Sequence, residues 1–176
     1  MRTAIRILPL VLISFLSPGF SNPDPLPPFS GNYHLFKIER SRDPDIVMYD
    51  VNLDSKGNLD RSMPIKIYWI KKTEDNHFES LTGIQKKFSY GLSYQDISEN
   101  RVVFQFASSL DRTFELKKCS DNYYRVFTDY YGKQVELKSL YIHFEDESFW
   151  FPTISKIDLF GIDSTDGNLI AESISH

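Results

Sequence analysis

Four side chains of metal-ligand type surround one glycine: Asn52, Asp54, Asn58 and Asp60 lie about Gly57. Their spacing invites comparison with a calcium loop, which needs an oxygen ligand at its fifth position and a bidentate glutamate at its twelfth. Counted from Asn52, those positions hold Lys56 and Met63. The flanking residues also read as strands rather than helices. The expected structure is a solvated hairpin with no metal and no cofactor. The histidines His34, His77, His143 and His176 each lack a second His or Cys at metal-site spacing.

Catalytic chemistry fares no better. Cys119 follows Lys117 and Lys118, which would favour a thiolate, but no histidine lies near in sequence to act as its base. A G-x-S-x-G elbow is missing. Glu145, Asp146 and Glu147 could in principle supply an acid and a base across a glycosidic bond. Three acids in a row at a strand end read more simply as a solvated loop. No catalytic residue is assigned, and the chain leans away from being an enzyme.

Aromatic residues are the one excess, at 15% of the chain. Phe149-Trp150-Phe151-Pro152 is unusual because three consecutive rings in a loop cannot all face a core. Exposed rings supply contact area at low entropic cost. The binding candidates are therefore Trp69, Tyr90, Trp150 and Phe151, with Arg40 and Lys87 as charged handles.

The elements that must position these residues follow a two-residue period. Phe36 and Ile38, Val47, Tyr49 and Val51, and Ile65, Ile67 and Trp69 alternate with mostly polar neighbours. Val102, Phe104 and Phe106, then Phe114 and Leu116, do the same. This is the pattern of half-buried strands. Many such strands in series predict a mainly β fold, an antiparallel barrel or sandwich of about eight to ten strands. One long strand changes phase, since Val135 and Leu137 have opposite parity to Leu140, Ile142 and Phe144. A β-bulge or sharp bend near Ser139 would account for the change of phase.

One short helix is expected. Thr82-Gly83-Ile84-Gln85 has capping-box spacing, and Ile84 and Phe88 lie four apart, as a face packed on the sheet would require. Gly91 fits the left-handed residue beyond the helix end. The turns Asp54–Leu59 and Asp163–Leu169 share Gly-Asn chemistry and read as hairpin turns.

The N-terminus has a different composition. Arg2 and Arg6 precede an apolar run from Ile7 to Leu16, followed by Ser17, Pro18, Gly19 and Ser21. This predicts a signal peptide over residues 1–21, cleaved after Ser21, with cleavage after Gly19 as the alternative. The run is about half the ~20 apolar residues that a spanning helix needs, so no membrane span is expected after cleavage. Residues 22–32 begin NPDPLPP, a Pro-rich linker. Residues 33–176 then form a single β-rich domain. Localisation would be periplasmic or extracellular. With Cys119 as its only cysteine, the domain must be held by packing. The net charge of −4 becomes −6 without Arg2 and Arg6, and the basic residues form no stripe. Both features argue against nucleic acid.

Several segments resemble a family of exported bacterial proteins catalogued as a domain of unknown function (number 4833). They are Leu35–Ser41, Ile46–Asn52, Pro64–Trp69, Leu81-Thr82 with Lys86-Lys87 and Tyr90-Gly91, and Ile157–Gly161. The resemblance runs from about Tyr33 to Ile174. Gln85 departs from it, because the family tends to carry Glu there. The resemblance implies an exported single domain and brings no activity, cofactor or catalytic residue.

The function expected is that of an exported, non-catalytic envelope domain that binds a small apolar or aromatic-stacking ligand or an envelope protein. One alternative is a carboxylate-dependent enzyme acting on envelope polysaccharide or lipid. Another is a structural interaction module of the envelope.

Overall fold

The computed structural model describes residues 33–145 and 153–175. Trp150 and Phe151, the expected leader and the expected linker lie outside the described residues. Among the described residues, eleven strands and one helix follow in order: β1 (His34–Arg40), β2 (Asp43–Val51), β3 (Ile65–Lys71), β4 (His77–Ser80), α1 (Gly83–Phe88), β5 (Leu92–Ile97), β6 (Arg101–Phe106), β7 (Ser109–Lys118), β8 (Tyr124–Tyr130), β9 (Lys133–Phe144), β10 (Ile154–Asp163) and β11 (Leu169–Ser175). The β-rich expectation with a single short helix is borne out.

All eleven strands form one curled sheet with the path β4-β3-β2-β1-β9-β8-β7-β6-β5, and β10 and β11 continue from the other edge of β9. The result is a half-barrel. One pairing departs from the antiparallel expectation. β1 runs parallel to β9, from Lys37 opposite Ser139 to Arg40 opposite Ile142. β9 is long enough to seat two strands end to end on one edge, because β8 pairs with its first half, from Lys133 to Glu136. The sheet is therefore mixed.

The phase change in β9 is a bulge. Phe160 sits opposite Ser139 and Gly161 opposite Leu137, which leaves Lys138 as the extra residue. The slip lets Leu137, Leu140 and Ile142 enter the same core despite their parity.

The concave side is filled. Phe36 stacks on Tyr49 with ring centroids 4.2 Å apart, and Phe106 of β6 meets both rings edge-on at 6.0 and 5.9 Å. Phe104 and Phe114 continue the cluster. These contacts join strands far apart along the sheet path, so the curl is closed by packing. The convex side is less polar than alternation predicts. Met48, Tyr68 and Ile70 form a small second cluster there, and Phe78 of β4 meets Tyr68 edge-on.

Both Gly-Asn segments are turns. Gly57 and Gly167 have φ of +80° and +74°, and Asp163 and Asn168 close the β10–β11 hairpin. The Asp54 carboxylate accepts from the Lys56 and Asn58 amides, and Asp60 from Ser62 and Met63. Those oxygens serve the turn backbone, as the hairpin reading requires.

Candidate functional site

The connection from β4 to β5 joins the two strands that end the sheet path, and α1 lies within it. Its capping box is complete: the Thr82 hydroxyl accepts from the Gln85 amide, and the Gln85 side chain accepts from the Thr82 amide. A cap of this kind stabilises by about 1 kcal/mol. That is too little for a helix of one and a half turns, since isolated helices shorter than about 12 residues are marginal in water. Tertiary contacts must hold it.

The expected contacts were Ile84 and Phe88 against the sheet, and the structure reverses this. Ile84 is 74% exposed and Phe88 63% exposed. The residues that anchor the connection flank the helix instead: Leu81 before it and Tyr90 after it are buried. An apolar pair four apart looks the same in sequence whichever way it turns.

Tyr90 belongs to a cluster that brings together three of the six candidate residues. The Trp69 ring meets the Tyr90 ring edge-on at 5.1 Å. The Arg40 guanidinium lies 4.5 Å from the Trp69 centroid and donates to the Tyr90 hydroxyl at 3.0 Å. It also pairs with Asp43 across the tight β1–β2 turn. Lys71 approaches Trp69 at 5.1 Å and is held by the buried Asp45 at 3.1 Å. The Trp69 indole N–H donates to Gln85 Oε1 at 3.4 Å, and the Tyr49 hydroxyl donates to the Tyr90 carbonyl at 2.7 Å. Arg40 Nε is buried without a partner among the described residues.

This arrangement is a clamp. Trp69 is only 2% exposed, so its ring faces are already occupied by protein. Desolvated cation–π contacts stabilise by up to about 2 kcal/mol, and here they tie β1, β3 and the α1–β5 connection together. Lys87 does not join. It sits on α1 with its ammonium 5.1 Å from the Phe88 ring. A cavity of about 280 Å³ lies elsewhere, on β6 to β9, where Arg101, Glu115, Phe127, Asp129 and Gln134 are among its lining residues. Arg40, Trp69, Lys87 and Tyr90 are not among its lining residues, and the ring of Phe127 is covered by Lys117 at 4.4 Å. Sequence reasoning missed Tyr49 and Asp43 as members of the clamp. Gln85 was legible through its capping role.

The tyrosines of this region give an alkaline prediction. Burial pushes Tyr49 well above the ordinary phenol range, and the charges of Tyr90 and Tyr94 add to it. Burial also raises Tyr90, against the opposing pull of Arg40. Tyr94 is pushed up to about 12 by burial, partly offset by a hydrogen bond to the Ile65 backbone. In the unfolded chain each phenol titrates near 10. Above that pH the unfolded state sheds protons that the folded state retains, so stability falls as pH rises. Unfolding by circular dichroism should therefore begin above about pH 10 and coincide with the rise in tyrosinate absorbance from these residues. Full tyrosine titration with an unchanged native spectrum would contradict the burial described.

Fold and site together define a filled β half-barrel that carries a short helix outward on a clamped connection. A family profile described as a domain of unknown function (DUF4833) matches residues 36–173, and the chain belongs to that family. No curated protein and no solved structure matches the chain.

Proposed function

We propose that this protein is an exported, non-catalytic binding domain that meets an envelope protein through α1. The observation that carries the reading is the outward display of Ile84 and Phe88, at 74% and 63% exposure, on a helix the fold holds by other residues. The chain spends a capping box and a cation–π clamp on fixing a helix whose own apolar side chains add nothing to the core. Lys87 borders the patch, with its ammonium 5.1 Å from the Phe88 ring, in a chain of net charge −4. A complementary partner would offer an apolar socket with an acidic rim. Export rests on the pattern from Arg2 to Ser21 and on the family resemblance.

In this reading the ring cluster acts as a support rather than as a ligand shelf, because Trp69 is already covered. A photo-reactive amino acid at Lys87 should give one discrete protein adduct in the cell envelope. Ile84→Asp with Phe88→Asp should reduce it by tenfold or more, as expected for apolar anchors of about 2 kcal/mol each. The melting temperature should stay within about 2 °C, because exposed substitutions cost little. An adduct unchanged in the double variant, or none in the parent, overturns the proposal.

A further inference from the structure

Three strands end the sheet, and they are not equivalent. β4 has only four residues. β5 is broken by a register shift between Tyr94 and Asp96, so Gln95 bulges out of the ladder. Shortness and bulges are two ways by which proteins protect a strand edge from pairing with another chain. β11 has neither. It pairs with β10 without a slip from Leu169 opposite Ile162 to Ser175 opposite Lys156. Among the described residues, no strand pairs with its far edge.

The sequence of β11, Leu-Ile-Ala-Glu-Ser-Ile-Ser, also lacks the proline and lysine that commonly guard an edge. Its one charge is neutralised from inside the fold. Glu172 is held by both terminal nitrogens of Arg112, at 2.5 and 2.6 Å. On the opposite face Leu169 is 85% exposed, and Phe160, which faces Ala171 across the ladder, is 40% exposed. The edge is thus regular, its one charge is paired, and its outward face carries Leu169 and Ala171 at one end and Ser173 and Ser175 at the other.

We propose that the far edge of β11 pairs antiparallel with the same edge of a second copy of this chain, about a two-fold axis at Ala171. The strand is compatible with this occupant, and its one acid restricts the register. With the axis at Ala171, Leu169 faces Ser173 of the other copy and Ile170 faces its Glu172, so no like charges meet. Moving the axis to Glu172 would set two carboxylates opposite each other, which is destabilising. An isologous contact needs one self-complementary patch, and this strand supplies it in a chain that otherwise carries net charge −4. A strand of this length buries less than the roughly 1,000 Å² of a stable interface. The dimer is accordingly weak and concentration-dependent, with dissociation in the micromolar range or above. This surface is independent of α1.

Sedimentation velocity and light scattering on the chain lacking residues 1–21 test it directly. The parent should move from monomer to dimer as concentration rises. Ala171 is exposed, so Ala171→Lys and Ala171→Glu should both fold with unchanged melting temperature. Each alone places like charges together on the axis and should weaken the dimer by tenfold or more. Mixed in equal amounts, the two variants should pair with each other and restore the dimer. A parent that stays monomeric at millimolar concentration overturns the proposal. So do single variants that dimerise like the parent, and a mixture that stays monomeric.

Discussion

Replacing Gly161 with valine should cost about 3 kcal/mol or more and lower Tm by roughly 6–12 °C. A Cβ at this position would lie 2.3 Å from Val135 Cγ1 and 2.6 Å from the Glu136 carbonyl oxygen. Those neighbours belong to β9 just before its bulge, where Gly161 faces Leu137. The glycine is needed for space rather than for backbone freedom, since the ladder brings β10 directly against the bulging strand. The carbonyl cannot rotate away without breaking the pairing that sets Leu137 and Leu140 in one core. Even alanine should destabilise. Thermal melts followed by circular dichroism give the measurement, and a Gly161→Ala protein with the parent's Tm would refute the close approach.

The same region shows how far sequence can see. The change of parity between Leu137 and Leu140 was readable, and the slip falls at Lys138, one residue from Ser139. The partner of the bulge was not readable, because nothing local to Gly161 says which strand lies beside it. The parallel pairing of β1 with β9 is likewise non-local. Alternation reports that a strand has a buried face but not which neighbour it takes. The second cluster of Met48, Tyr68 and Ile70 was missed for a related reason. Those residues sit at positions that a one-sided pattern assigns to solvent, and only tertiary packing covers them.

The candidate site was legible in part. Arg40, Trp69 and Tyr90 were chosen for their chemistry, and the fold does bring them together. The rings of Trp69 and Tyr90 are closed against each other and against Arg40. Capping chemistry is local, so Thr82 and Gln85 could be read directly. The direction of Ile84 and Phe88 could not, because helical spacing defines a face without defining what lies beneath it. Trp150 and Phe151 lie outside the described residues.

Gly91 separates two physical explanations for one glycine. A helix-ending glycine is ordinarily explained by a left-handed conformation, which asparagine also tolerates. Gly91 is not among the glycines of positive φ. Instead, a Cβ there would fall 1.6 Å from the Lys86 carbonyl oxygen. The chain doubles back under α1, with the Ser89 and Tyr90 amides both donating to the Gln85 carbonyl and Gly91 accepting from Ala107. Pinned from both sides, it has no room for any side chain. Gly91→Ala and Gly91→Asn should therefore be equally damaging, each by about 3 kcal/mol or more. Gly57→Asn provides the contrast, because Gly57 has φ of +80° and open space around it, so asparagine there should cost less than about 1 kcal/mol. Denaturant melts of the three variants decide the matter, and an asparagine much better tolerated than alanine at position 91 would restore the left-handed explanation. The damage should also reach the clamp. Displacing Gly91 moves Tyr90 away from Arg40 and Trp69, so Trp69 fluorescence should shift to the red in native buffer. Adduct formation from Lys87 should fall with it, since the clamp that fixes the angle of α1 depends on this turn.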